Sequence, residues 1–423
     1  MLQVSVLRNN TDEVKKRLAI KHFNEPKLVD LIISMDDERK RLQAEFDHTQ
    51  AKVNSASKEV GKLMGQGKKE EADSIKTEVA AWKITLEPLK DQMIKIEKDL
   101  LDNLVLLPNL PNKDVPGGRT PEENIIVREG GKKPILTSGA QPHWDLIKKY
   151  DLVDFETGAK ITGSGFPLYK GRGAKLQRAL IAYFLDYNTA AGYIEYIPPF
   201  MVNEASAFAT GQLPDKEGQM YHATADNFYL IPTAEVPVTN IYRDTIIKLE
   251  DLPIKMTAYS PCFRREAGSF GKDVRGLNRV HQFDKVEIIQ IVEPESSYKV
   301  LENMVLHVEK LLQNLSLPYR ILRLCGGDMG FTSAITYDFE VYSAAQERWL
   351  EVSSVSNFES YQTNRMKCRY KDGDGKMQLT HSLNGSSLAL PRIVACLLEN
   401  NQAPEGIILP QVLHSYFGSK IIN

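Results

Sequence analysis

The sequence predicts an α+β protein: an antiparallel β-sheet flanked by helices, preceded by an antiparallel two-helix coiled-coil arm. Three observations carry this. Two heptad seams lie within the first hundred residues, separated only by M-G-Q-G-K. A stretch dense in proline and glycine, L-L-P-N-L-P-N-K-D-V-P-G-G-R-T-P, follows them. Beyond it, short alternating segments succeed one another at hairpin-length spacing, with helical patterns between, which favours an antiparallel sheet over a βαβ wind. The 423 residues suffice for two or three domains. The expected division is an arm-bearing domain over 1–104 and a second domain over 105–423, entered through a linker at about 105–121.

The first seam runs Leu31, Met35, Leu42, Phe46, Thr49, Val53, Ala56, Val60 and Leu63. The second, Ile75, Val79, Trp82, Leu86, Leu89, Met93, Ile96 and Leu100, alternates spacings of four and three. A short turn containing Gly65 and Gly67 forces the two helices antiparallel. At about 1.5 Å per residue the first arm spans roughly 54 Å. Pro88 interrupts the second seam, so a kink near Thr85 is expected, with hydrophobic pairing carrying the helix through it. Such a hairpin serves equally as a dimerisation element, a spacer or an RNA-binding arm. The lysines at its tip, Lys58, Lys62, Lys68 and Lys69, are largely balanced by Glu59, Glu70, Glu71 and Asp73.

Composition narrows the classes. Lys and Arg total 53 against 55 Asp and Glu, so the chain has no global nucleic-acid signature and any attraction for RNA must be local. No apolar run is long enough to span a bilayer and no leader pattern opens the chain, so a cytoplasmic location is expected. Cys262, Cys325, Cys368 and Cys396 are scattered without C-x-x-C spacing, and the eight histidines show no metal-binding pairing. Any metal would therefore be held by oxygen. G-S-G-F-P-L (163 to 168) and G-R-G-A-K-L (171 to 176) fall short of glycine-rich phosphate motifs, so a nucleotide would rest on side chains of a sheet.

In the second domain, helical patterns occur near 172–191, 295–316 and 386–400. Alternating segments occur at 193–202, 227–231, 258–266, 279–292, 320–325, 335–342 and 348–355. Residues two apart on a strand share a face. Arg264 thus projects with Glu266, and His281 with Phe283, Lys285 and Glu287. One face of the hairpin would display a guanidinium that suits phosphate and a ring that suits a purine. Lys272, Arg275 and Arg279 could close over a polyphosphate. The same charges also fit a solvated hairpin with ordinary surface pairs. Thr233 and Glu235 place a hydroxyl beside a carboxylate, which suits an ammonium group. Asp338 with Glu340, and Glu351 with Ser353, offer oxygen ligands of the kind magnesium accepts, or acidic edge residues of a hairpin.

In order along the chain, F-R-R-E followed by R-V-H-Q-F-D-K-V-E resembles motif 2 of class II aminoacyl-tRNA synthetases, specifically of the seryl-tRNA synthetase family. The ordered set L-R-N-N, the hairpin, P-N-L-P-N-K-D-V-P, P-H-W-D-L, T-A-E, G-D-M-G-F, T-Y-D-F-E-V, E-V-S-S-V-S-N and L-N-G-S-S-L-A-L-P-R-I-V-A-C-L-L-E-N extends the resemblance over nearly the whole chain. A-G-Y-I-E-Y-I-P-P resembles motif 1, which would place Gly192 and Pro199 in a homodimer interface. The resemblance implies a class II sheet and a two-step ligase: L-serine and ATP give seryl-adenylate, and serine then passes to the 3'-terminal adenosine of tRNA(Ser), with tRNA(Sec) left open as a second acceptor.

It also assigns roles. Arg264, Glu266 and Arg392 would be catalytic: Arg264 on the α-phosphate, Glu266 on the adenine side, Arg392 with Arg279 on the outer phosphates. Phe283 would stack on adenine, and Arg265, Val280, Val352 and Ser353 would complete the ATP site. Glu351 and Ser354 would hold Mg2+. Thr233, Ala234 and Glu235 would meet the serine ammonium group, and Glu287 and Ser386 would border its hydroxyl. The arm would hold the long variable arm of the tRNA by shape and backbone.

This chain departs from the family pattern at Pro391, just before Arg392, at V-S-S-V, which lacks flanking cysteines, at G-S-G-F-P and at Pro88. Proline at 391 must be accommodated near a helix start, or Arg392 is displaced. Two other functions share these features: a non-catalytic RNA-binding relative, which would lose Arg264, Glu266, Phe283 or Arg392, and an aminoacyl ligase for a carrier protein, which would lack the long arm.

Overall fold

The computed structural model describes residues 1–136, 138–266 and 275–423; Lys272 lies outside the described residues. The chain divides into two compact units, Met1–Ala19 with Phe23–Pro108, and Ile20–His22 with Asn109–Asn423.

In the first unit, short helices α1 (Val4–Asn9) and α2 (Thr11–Ile20) precede the long helices α3 (Lys27–Gly65) and α4 (Lys69–Leu104). The 39 residues of α3 extend about 58 Å. Gly67 makes the turn at φ +77°, a left-handed conformation that glycine adopts without a steric penalty. The heptad seam is observed: Leu42, Val53 and Leu63 of α3 are buried, as are Val79, Leu86 and Leu100 of α4. Phe46, Ala56, Ile75 and Trp82 pack beside them, half-buried. The base differs from the simple repeat. There Ile32 is fully buried while Leu31 is 46% exposed, because α1 packs on α3 and sets a different inward face. Asp36, also buried, ties the base together through Arg8, Arg39 and Lys40. Helix α4 runs unbroken past Pro88, whose ring is on its exposed face.

The second unit is built on an eight-stranded sheet. Its strands are β1 (Ile125–Gly130), β2 (Ile194–Tyr196), β3 (Ile254–Phe263), β4 (Gln282–Val292), β5 (Tyr319–Arg323), β6 (Ile335–Ser343), β7 (Arg348–Asn357) and β8 (His381–Ala389). Their spatial order is β1-β5-β6-β7-β8-β4-β3-β2. Neighbours are antiparallel, as expected, except at one edge, where β2 runs parallel to β3. Helices α5 (Gly171–Ala190), α7 (Ser297–Asn314) and α9 (Leu390–Asn400) bury Phe184, Leu312 and Leu397 against Val286, Ile288, Phe339 and Val355 of the sheet, and the short helices α6 (Glu235–Thr239) and α8 (Tyr361–Met366) fall between them in sequence. Because side chains alternate, Lys285 and Glu287 then face the opposite side, into a cavity.

Three local expectations change. The alternation over 193–202 is cut by Pro198 and Pro199, which cannot donate to a ladder; Met201–Asn203 instead joins Phe228–Leu230 in a separate small sheet. The helix expected from 386 starts at Leu390, and the residues before it form β8, a central strand. Its sequence, H-S-L-N-G-S-S-L-A, is poor in the β-branched residues that mark strands. Finally, the segment expected to be a linker is well packed from Asn109 on. The Asn109 amide nitrogen donates to the carbonyls of Thr332 (2.9 Å) and Phe358 (2.8 Å), and Leu110 and Val115 are buried.

Candidate active site

A cavity of about 540 Å³ opens on the sheet face away from the helices. Strands β3 and β4 bring Arg264 and Phe283 to it. Ten residue pairs join these strands in register, Gln282 opposite Phe263 at the open end. Just past β3, the Arg264 N–H still donates to the His281 carbonyl at 3.0 Å. The Arg264 guanidinium lies 5.2 Å from the Phe283 ring centroid, and its Nε donates to the Pro232 carbonyl at 3.3 Å. Glu266 lies beyond the strand, at φ +48°, so its place beside Arg264 comes from the loop and not from strand alternation. It pairs with Arg279 at 2.8 Å. His281 leaves the expected shared face: its ring stacks on Phe166, with centroids 5.3 Å apart.

At the closed end lies a buried polar cluster. Glu287 sits opposite Ser386 in the β4–β8 register and is 1% exposed. Its Oε1 accepts from Thr233 Oγ1 (2.8 Å), more weakly from Ser386 Oγ (3.4 Å), and pairs with Lys285. Its Oε2 is buried without a partner among the described residues. An unmatched carboxylate oxygen costs free energy unless a ligand supplies a donor.

Thr233 and Glu235 do not lie on a strand, as the two-residue spacing suggested. They open the short helix α6 (Glu235–Thr239), where Thr233 Oγ1 accepts the Glu235 N–H at 3.2 Å. The Glu235 carboxylate accepts from Gln362 (2.7 Å) and Asn384 (2.6 Å). Burial pushes its pKa up to about 7, the nearby Glu287 adds to this, and the Gln362 hydrogen bond opposes it.

On the third side, β7 carries a bulge: Ser353 pairs with Phe339, but Glu351 pairs with the next residue, Glu340. The extra residue, Val352, breaks simple alternation. Glu351 therefore shares its face with Ser354, whose Oγ donates to Glu351 Oε1 at 3.4 Å, and not with Ser353, whose hydroxyl donates to the Ser386 carbonyl at 2.6 Å. Asp338 lies opposite Ser354. Burial, reinforced by Glu351, holds its carboxyl well above the usual range, and its Oδ1 has no partner among the described residues. Pro391 sits in the first turn of α9, where a missing N–H breaks no helical bond, and Arg392 lines the cavity. Its Nε donates to Asn278 O (2.9 Å) and its Nη1 to Glu351 O (2.7 Å).

The cavity is thus lined by Arg264, Glu266, Arg279, Val280, Phe283, Glu351, Val352, Ser353, Ser354 and Arg392, together with Thr233, Glu235, Glu287 and Ser386. Two expected residues do not line it. Ala234 is fully buried in an apolar cluster, and Arg265 is exposed, with its N–H donating to Gln219 O at 3.0 Å. Three further side chains belong to the site: Lys285, Asn384 and Gln362. Asn384 lies two residues before Ser386 and would have been placed by reading 381–389 as a strand. Nothing in the sequence pattern marks Gln362.

Residues 1–111 match the family profile "Seryl-tRNA synthetase N-terminal domain", and residues 220–401 match "tRNA synthetase class II core domain (G, H, P, S and T)". A serine–tRNA ligase of Salinibacter ruber is 49% identical over 99% of this chain and 98% of its own length. The chain belongs to the seryl-tRNA synthetase family. A serine–tRNA ligase of Akkermansia muciniphila is 46% identical over 100% of this chain and 99% of its own length. Among solved members of the family, the seryl-tRNA synthetase of Pyrococcus horikoshii complexed with ATP superposes with a TM-score of 0.91 at 31% identity, covering 100% of this chain and 99% of its own. The cytoplasmic enzyme of Naegleria fowleri in complex with AMP gives 0.86 at 25% identity, covering 100% and 99%. Among the described residues, no helix is long and apolar enough to cross a membrane.

Proposed function

We propose that this cavity joins L-serine to ATP, releasing pyrophosphate, and then transfers serine from the adenylate to the 3'-terminal adenosine of tRNA(Ser). One observation carries the reading: a buried carboxylate with an unmatched oxygen, Glu287 Oε2, lies in the same cavity as an arginine stacked over an aromatic ring. The relatives' names and the bound ATP and AMP of the solved members agree with it.

The chemistry follows from charge and position. A serine hydroxyl donating to Glu287 Oε2 would satisfy that oxygen, and alanine would leave it unmatched. Glu235, as carboxylate, attracts the serine ammonium group. The serine carboxylate is already ionised, so it attacks the α-phosphorus without a general base: a carboxylate O–P bond forms and the bond to pyrophosphate breaks. Arg264, which has no ion pair with a described residue, stabilises the charge developing on the α-phosphate, and Phe283 supports the adenine. Arg279 and Arg392 reach the outer phosphates. Glu351 and Ser354 would hold Mg2+, which neutralises phosphate charge when bound. The donor set fits such an ion: Glu351 Oε1 and Ser354 Oγ, two oxygen donors 3.4 Å apart, line the same cavity.

The arm of 1–104 is assigned to the tRNA. Its α3 and α4 bury only a narrow seam and leave two long polar faces for a phosphate backbone. The enzyme is read as a cytoplasmic homodimer. Ile194 on the edge strand β2 is 60% exposed and Ile197 beside it 85%, an apolar edge suited to a second copy. The test separates the units: deleting residues 30 to 100 should spare serine-dependent exchange of pyrophosphate into ATP and impair tRNA charging. Equal loss of both activities would overturn the assignment of the arm.

A further inference from the structure

The segment P-H-W-D-L makes no substrate contact in the proposed site, yet its histidine forms a fully enclosed hydrogen bond to a carboxylate. His143 and Glu399 are both fully buried. The Leu277 N–H donates to His143 Nε2 at 2.9 Å, so Nε2 is the unprotonated nitrogen. Nδ1 then carries the proton and donates to Glu399 Oε1 at 2.7 Å. Glu399 also accepts the His143 backbone N–H (2.9 Å), the Ser343 hydroxyl and Gln346 Nε2 (2.9 Å). Gln346 Oε1 in turn accepts from Asn278 Nδ2 at 2.9 Å. Gly276 sits at φ +61°, and a Cβ there would lie 2.4 Å from His143 Nε2, so the imidazole and this turn fit closely.

The two residues held this way border the cavity. Leu277 is fixed through its N–H by His143, and Asn278 through its side chain by Gln346. The Asn278 carbonyl then receives Arg392 Nε at 2.9 Å. Glu399 and Arg392 lie seven residues apart on the same face of α9, so the helix that supplies the arginine also supplies the anchor of the segment that orients it. Nearby, the Arg275 guanidinium lies 4.2 Å from the Trp144 ring centroid, a second hold on the same turn.

We propose that His143, fixed by Glu399, is a positioning residue for the nucleotide: it sets the Leu277–Asn278 backbone that aims Arg392 at the outer phosphates of ATP. This rests on the cavity being the ATP site. The contact is made through neutral imidazole, so glutamine, whose amide oxygen can accept the Leu277 N–H, should replace it in part, and alanine should not.

The test measures serine-dependent exchange with His143→Ala, His143→Gln and Gln346→Ala, each normalised by active-site titration and checked for folding by thermal unfolding. Gln346 is only half-buried, so its variant keeps the test open should His143→Ala fail to fold. His143→Ala is expected to raise the ATP KM about tenfold or more, the scale of a misplaced contact, with serine KM changed by less than about twofold. Gln346→Ala should move ATP KM in the same direction, and His143→Gln should recover part of the loss. Equal rises in both KM values, an unchanged ATP KM with only a smaller active fraction, or no advantage of Gln over Ala would overturn the inference. A wild-type protein without serine-dependent exchange would instead overturn the reading of the site.

Discussion

Replacing Glu287 by glutamine tests the polar cluster most sharply. The substitution keeps the side chain's shape and its acceptor for Thr233 Oγ1, now at 2.8 Å. It removes the negative charge, however, and turns one of the two terminal positions into a donor. Two consequences separate. For serine, a hydrogen bond to a charged acceptor is lost, worth about 1.5–3 kcal/mol. This corresponds to a fall in kcat/KM for serine of about 10- to 150-fold. For stability, Lys285, whose side chain is 7% exposed, loses its only carboxylate partner among the described ion pairs. Breaking a buried pair costs up to about 3–5 kcal/mol, less if the lysine sheds its proton. Pyrophosphate exchange at varied serine and at varied ATP, with thermal melts alongside, reads both effects. The ATP KM should stay near its wild-type value, because Glu287 is held by Thr233, Ser386 and Lys285 at the amino-acid end of the cavity. A serine KM that does not move, or one that moves only in step with the ATP KM, would refute the assignment of Glu287 to the amino acid.

Other consequences are as direct. Burial raises the Glu235 pKa to about 7, so its carboxylate is lost as pH falls through that value. The kcat/KM for serine should therefore decline below about pH 7 in the free-enzyme profile, and Glu235→Gln should give a low, pH-independent value; a flat wild-type profile would contradict this. In the arm, burial alone would raise the Asp36 pKa, but hydrogen bonds from Lys40, Arg39 and Arg8 outweigh it and hold the group at about 2. A depressed carboxyl contributes stability above its unfolded pKa and loses it as pH falls through the folded value. Asp36→Asn should thus destabilise the first unit by about 1–2 kcal/mol at neutral pH, with the difference fading between about pH 4 and pH 2. Pro88→Ala should stabilise the same unit, by up to about 3 kcal/mol, since it restores a backbone donor in an exposed helix interior; an unchanged denaturation midpoint would mean that the helix has already relaxed around the proline.

What could be read from the sequence was what depends on periodicity. The heptads of α3 and α4 are a property of spacing alone, and they failed only at Leu31, where the short helix α1 replaces the partner helix as the packing surface. Strands β4, β6 and β7 were legible because β-branched and aromatic residues alternate in them. Strand β8 was not, because serine, asparagine and glycine fill it: its inward positions serve the cavity and leave little apolar pattern. That one omission hid the pairing of Ser386 with Glu287 and the role of Asn384. Strand alternation likewise placed Glu351 with Ser353, since a bulge at Val352 leaves no mark in the sequence. The resemblance to a family named most of the cavity residues, but it did not predict how they hold one another. Gln362 on Glu235 and Asn278 under Arg392 are long-range contacts set by tertiary packing.

The central claim is that the cavity selects serine and activates it with ATP. Pyrophosphate exchange by the full-length protein, run in parallel with each of the common amino acids, tests it most directly. Serine should support exchange, and alanine should fail because it leaves Glu287 Oε2 unmatched. Exchange that does not depend on serine, or that alanine supports as well as serine does, would contradict the account.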